Sequence, residues 1–255
     1  MAFKIFIDGK EGTIAIVGPK RMDYEKTVAK ILKYLDNKNI YVTTILSENY
    51  PQRLKHIANP PLVLYYKGDL NIAHEENSIG VVGTRKPTRY GRWVADEFVS
   101  TLVQNGLITI SGLAYGIDSE VARTTLEMGG RTIAVLGGGV EKIYPSSNSA
   151  LADNIIKNGG LILSEYFPTF SPTKYTFPER NRIISGLSRG VLVIEAGNGS
   201  GSLITATRAI EQGKDLFVVP GNIDSKESKG SNKLIEEIPT CVVVSPDRIL
   251  REFGI

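Results

Sequence analysis

From Ile79 onward, short apolar runs alternate with stretches whose apolar residues recur at helical spacing. The runs IGVVG, LITIS, TIAVLG, LILSE, GVLVIEA, DLFVVPG and CVVV precede helical patterns at 89–105, 116–129, 148–158, 178–187, 203–212, 228–237 and 246–253. The runs are continuously apolar, so both faces of each strand are predicted to be covered. That is the signature of a mostly parallel, doubly wound α/β sheet with helices on both sides. Within 89–105, Val94, Phe98 and Leu102 form a stripe widened by Val99 and Val103, and this stripe is predicted to face the sheet.

The first 75 residues read as a separate, small α/β unit. TIAIVG (13–18) predicts a strand, 23–37 a helix and IYVTTIL (40–46) a second strand. The segment YPQRLKHIANPPLVLYYKGDL then supplies a short helix, a Pro-Pro break and a third strand, before the polar linker NIAHEENS. The expected division is therefore a small N-terminal α/β unit over 1–75 and a core domain over 76–255.

Two strand-to-helix turns between 78 and 118 carry the first chemical signal. Each ends an apolar run in a glycine-marked turn, a geometry that points backbone N–H groups at an anion. The first turn holds Gly83, Thr84, Arg85 and Lys86, with Arg89, Tyr90 and Arg92 close behind; the second holds Ser111, Gly112, Tyr115 and Gly116. Arg85 is predicted at the carboxyl edge of the sheet, where open α/β folds place ligands and where a guanidinium binds phosphate bidentately. Asp118 reads as a structural cap for the following helix.

Two later segments add to this set. The run FPERNRIISGLS sets Arg180 and Arg182 around Asn181, and residues two apart on a helix do not share a face. Arg180 and Asn181 are candidates for phosphate contact, and Arg182 for an internal pairing with Glu165 or Glu195. Lys174 precedes them on an aromatic loop suited to single strands. In EAGNGSGSLITATRAIEQGK, residues Gly199, Ser200, Gly201 and Ser202 open a helix and form a second candidate anion cradle. It lacks the lysine of a P-loop, so nucleotide hydrolysis is not suggested.

Bulk composition narrows the classes without choosing among them. The formal charge of +3 is too mild to argue nucleic-acid binding, so only local clusters count. The single cysteine, Cys241, excludes an internal disulfide, and two histidines offer no zinc constellation. No cofactor or metal is expected. No apolar run approaches a membrane span, so a soluble cytoplasmic protein with no membrane partner is expected.

Several motifs, in order, resemble the DNA-processing protein A (DprA/Smf) family. They are YPQRLKHIANPPLVLYYKGDL, GVVGTRKPTRYG, ISGLAYGID, RTIAVLGGGVEKIYPSSN, ILSEY, FPERNRIISGLS, GVLVIEAGNGSGSLITATRAIEQGKDLFVVPGNI and SKGSNKLIEE, spanning about residues 45–237. The resemblance implies an extended Rossmann-like fold, a homodimer and a basic pocket for single-stranded DNA. It also implies action with the RecA recombinase in recombination and natural transformation, and no catalytic turnover. Two positions depart from the family: Tyr115 precedes Gly-Ile-Asp where a basic or small residue is usual, and Arg123 stands where a histidine is usual. Tyr115 would trade charge for stacking, and Arg123 would keep or add charge. Residues 10–32 resemble instead the tail of the sensor-like region of the heat-shock repressor HrcA. The chain ends at SPDRILREFGI, so duplex binding through the winged-helix module of many family members is not expected.

A competing resemblance is to the lysine-decarboxylase-like phosphoribohydrolases, whose PGGxGTxxE motif carries a catalytic glutamate. Here the corresponding stretch is EAGNGSGSLITA, with no glutamate after the glycines. Glu195, four residues before the cradle, is the carboxylate on which an enzymatic reading would depend.

Overall fold

The computed structural model describes residues 2–7, 10–15 and 24–255. Strands β1 (Ala2–Ile7) and β2 (Lys10–Ala15) pair antiparallel as a two-stranded sheet. Residues 16–23, the middle of the repressor-like stretch and the end of the TIAIVG run, lie outside the described residues. Helix α1 (Tyr24–Asn37) follows, then β3 (Tyr41–Thr44) and β4 (Val63–Gly68).

The expected β-α rhythm is present through the next six strands. It runs β5 (Ser78–Gly83), α2 (Arg89–Gln104), β6 (Ile108–Ser111), α3 (Ile117–Glu127), β7 (Thr132–Val135), α4 (Ser149–Lys157), β8 (Leu161–Ser164) and α5 (Thr176–Leu187). It continues with β9 (Gly190–Ile194), α6 (Gly201–Glu211), β10 (Asp215–Val218), α7 (Lys229–Glu237) and α8 (Pro246–Phe253). The strands lie in one eight-stranded sheet in the order β10-β9-β5-β6-β7-β8-β4-β3. The six from β10 to β8 are parallel; β4 and β3 join antiparallel.

Adjacent side chains explain the continuous apolar runs. On β9, Val191 and Val193 face a core with Ile183, Ile184 and Leu187 of α5 and Ala206 and Ala209 of α6. Leu192 and Ile194 face the opposite core, with Val94, Phe98, Val99 and Leu102 of α2, Val121 of α3 and Ile249 and Phe253 of α8. Both faces of β9 are thus withdrawn from water, the condition the inner strands of a parallel sheet require.

Two expectations meet a different geometry. The sheet crosses the 75/76 boundary: β4 pairs with β8, and Tyr50, Leu54 and Leu64 lie in the same core as α5. The run CVVV is not a strand. A short 3-10 turn covers Pro239–Cys241, and a lone parallel bridge links Val242 to Val218. Cys241 and Val243 are buried against the sheet edge, so the apolar character reports packing without a hydrogen-bonded ladder.

The strand order creates one reversal. From β5 the chain builds outward through β6, β7 and β8, then returns to place β9 on the other side of β5. The loops after β5 and β9 therefore diverge, leaving a crevice at the carboxyl ends of the two strands. Open α/β sheets bind ligands at such a switch point.

Candidate nucleic-acid interface

Three loops meet at the switch point and are joined through their backbones. The Thr84 N–H donates to the Glu195 carbonyl at 2.8 Å, and the Ile117 N–H donates to the Thr84 carbonyl at 3.1 Å. Gly116 makes the second contact possible. It has φ of +76°, and a Cβ there would run into the Thr84 carbonyl and the Arg85 backbone.

The crevice between these loops encloses about 740 Å³. Gly83, Thr84 and Arg85 form one wall, Gly199, Ser200, Gly201 and Ser202 at the start of α6 another, and Lys174, Arg180 and Asn181 a third. The sequence-derived candidates from three separate loops thus face one space. Arg85 is exposed, and its guanidinium carbon lies 5.3 Å from the centroid of the Phe177 ring. Lys174 is also exposed, with its ammonium 5.0 Å from the Tyr175 ring, which is itself 73 % exposed. Cation and aromatic rings alternate along this rim, as a single-strand platform requires.

Several candidates support the crevice rather than presenting a free group to it. Ser111 is buried below the floor, its hydroxyl donating to the Val81 carbonyl at 2.7 Å. Gly112 is enclosed as well: its N–H donates to Asp118 Oδ2 at 3.1 Å, and its carbonyl accepts from Arg180 Nη1 at 2.9 Å. Arg180 is 4 % exposed and donates also to the Val135 carbonyl, so much of its hydrogen-bonding capacity is spent inside. Asn181 accepts from Arg180 Nε at 3.2 Å and donates to the Gly201 carbonyl at 3.1 Å, tying α5 to the entry of α6.

Burial dominates the electrostatics of this floor. It pushes the Asp118 carboxyl above its ordinary range, with Arg180 and the loop N–H groups pulling the other way. Burial likewise lowers Arg180 to about 10, against the attraction of Asp118. Asp118 is the second residue of α3, but its carboxylate bonds the Gly112 and Ala114 N–H groups instead of capping its own helix.

Arg182 diverges from Arg180, as residues two apart on a helix must. It forms a bidentate pair with Glu165 at 2.6 and 2.8 Å, so the internal pairing read from the sequence is present. Glu195 has a different partner from the arginine expected. It is 4 % exposed with φ of +50°, and its carboxylate accepts from the Thr88 N–H at 2.7 Å and the Thr88 hydroxyl at 2.5 Å. It thereby anchors the N-terminus of α2. Gly91 leaves the space, since a Cβ there would collide with that carboxylate.

Lys86, Tyr115 and Gly116 face a second cleft, adjoining the crevice at Arg85. Arg92, one of the cations that follow the first turn, lines it too from within α2, and so does Arg123. The loop that brings Tyr144, Ser147 and Asn148 beside these clefts had no functional reading in the sequence. Its YPSSN run carries no charge to attract one.

The fold and crevice define a Rossmann-like protein with a cationic, partly aromatic crevice at the switch point. The model of the family described as DNA recombination-mediator protein A matches residues 41–254, and this chain belongs to that family. The chain is 43% identical over 208 residues to the DNA processing protein DprA of Bacillus subtilis, covering 82% of this chain and 70% of that one. Among solved structures, DNA processing protein A from Streptococcus pneumoniae matches with a TM-score of 0.79 and 39% identity, over 90% of this chain and 80% of that one. DNA processing protein A from Helicobacter pylori, whose structure addresses a single-stranded DNA binding mode, matches with a TM-score of 0.75 and 32% identity. That match covers 83% of this chain and 95% of the other.

Proposed function

We propose that this protein binds single-stranded DNA across the switch-point crevice, with little sequence preference, and delivers it to a RecA-type recombinase during recombination and the uptake of transforming DNA. The observation that carries the reading is the convergence of Arg85, Lys174 and the entry of α6 on one open crevice rimmed by aromatic rings. A phosphodiester chain supplies the anions, and flexible unpaired bases supply faces for the rings. The proposed contacts are to phosphates and base faces, neither of which carries the base-edge pattern that distinguishes sequences. The Helicobacter pylori relative supports the choice of ligand. The homodimer and the recombinase partnership rest on family membership, and a cytoplasmic location fits both. Among the described residues no helix is long and apolar enough to cross a membrane, and no cluster of three or more His, Cys, Asp or Glu is placed to hold a metal.

We read the protein as a binder without turnover. The observation in favour is the engagement of Glu195 by Thr88, which commits that carboxylate to the end of α2 and away from the crevice. Titration of labelled single-stranded and duplex oligonucleotides tests the binding reading. Single strands are expected to bind tighter, with a log–log salt slope of about −0.7 per phosphate neutralised. Affinity indifferent to salt would refute it. A parallel assay with nucleoside monophosphates and ATP is expected to give no product; product formation lost in Glu195→Gln would reverse the non-enzymatic reading.

A further inference from the structure

The second cleft, about 630 Å³, opens on the far side of Arg85 and shares that residue with the crevice. Lys86 and Arg92 contribute to its walls from the β5-α2 side, and Arg123 from α3. Four cations thus face one concavity, against a single carboxylate, Glu120, paired to Arg123 at 3.2 Å. Among the described residues, Arg85, Lys86 and Arg92 have no acidic partner within ion-pair distance. Concentrating one sign of charge in a concave, low-dielectric site raises the local potential and calls for an anionic guest.

The divide between the two clefts has the matching chemistry. Tyr115 is 52 % exposed and lines the second cleft beside Gly116, which packs on the Arg85 backbone, so an aromatic face can take a base while the cations near it take phosphates. The position is rigid: Gly116 is packed on the 84–85 backbone, and buried Asn148 donates to the Leu113 carbonyl at 2.9 Å and to Ser119 Oγ at 2.8 Å beneath it.

We infer that the second cleft is a continuation subsite, in which a single strand leaving the crevice passes over Arg85, stacks on Tyr115 and lays its next phosphates against Arg92 and Arg123. The inference rests on the single-strand reading of the crevice. It makes Glu120 an internal competitor, holding Arg123 until a phosphate displaces it.

The test is a length series of labelled oligo(dT) titrated by fluorescence anisotropy. In the parent, affinity keeps rising past the length that fills the crevice. The Arg92→Ala, Arg123→Ala double variant is expected to level off at a shorter length. It should bind the longer oligonucleotides at least about 10-fold more weakly, with a shallower salt slope, while leaving the shortest unaffected. Glu120→Gln is expected to tighten the long oligonucleotides several-fold and not the short ones, a gain that no folding defect mimics. Equal losses at every length in the double variant, or no tightening in Glu120→Gln, would overturn the continuation subsite while leaving the crevice reading intact. The two readings separate through Lys174→Ala, which lines the crevice and not the second cleft: an unchanged affinity at all lengths in that variant would remove the crevice reading itself.

Discussion

Arg85 and Asp118 show how neighbouring residues of the same site answer different questions. Arg85 is exposed, has no acidic partner and faces both clefts. Its truncation is expected to cost about 1–3 kcal/mol of single-strand affinity, with the melting temperature unchanged. Anisotropy and a thermal melt on the same preparation check both halves, and a loss below threefold would deny Arg85 its role. Asp118 is buried, and burial holds its carboxyl above the ordinary value of 3.8. The native state therefore binds that proton more tightly than the unfolded chain does. The corresponding stability is fully present below the unfolded pKa and is lost as pH rises through the native one. Compared with Asp118→Asn, which cannot titrate there, the parent is expected to gain relative stability as pH falls toward 4. Denaturant melts across that range would show the reverse trend, or none, if the burial account were wrong. Arg85 was legible from its place after an apolar run. The buried roles of Ser111, Gly112 and Arg180 were not, because a glycine-rich turn reads the same whether its N–H groups meet a ligand or a neighbouring carboxylate.

At the scale of elements, the entry of α2 depends on a residue from another strand. Thr88 is the N-cap, its hydroxyl accepting from the Gly91 N–H at 3.1 Å and donating to Glu195, which β9 delivers. Thr88→Ala removes the cap and leaves a buried carboxylate with one fewer donor. The expected cost is about 1–3 kcal/mol in chemical denaturation, above the ~1 kcal/mol typical of a surface cap. A cost below 0.5 kcal/mol, on the order of an ordinary surface change, would show the clamp to be incidental. The helices and the six parallel strands were legible because their apolar patterns are local. CVVV was misread because a buried run and a paired strand share that pattern, and only the end of β10 at Val218 decides between them.

For the whole molecule, the decisive contact is non-local. β4 pairs with β8 across roughly a hundred residues, antiparallel to the strands around it, and no periodicity within either segment announces the pairing. A fragment of 76–255 would expose the open edge of β8 and lose Tyr50, Leu54 and Leu64 from the core beneath α5. It is expected to aggregate or melt without cooperativity, whereas the whole chain gives one transition. A sharp, parent-like melt of that fragment by circular dichroism would place the boundary where composition suggested, after residue 75.

The backbone joints at the switch point bear on how unpaired and paired DNA are told apart. Thr84 is bonded to both neighbouring loops, so the receiving surface is set before anything arrives, and the ordering on association falls on the guest. A single strand has the torsional freedom to follow a bent, narrow path. A duplex, stiff over about 150 base pairs, would have to kink sharply within a few, at a cost in bending energy. Under the single-strand reading, selectivity for unpaired DNA is expected to work as a mechanical filter, with a stiff mould accepting the one polymer supple enough to lie in it.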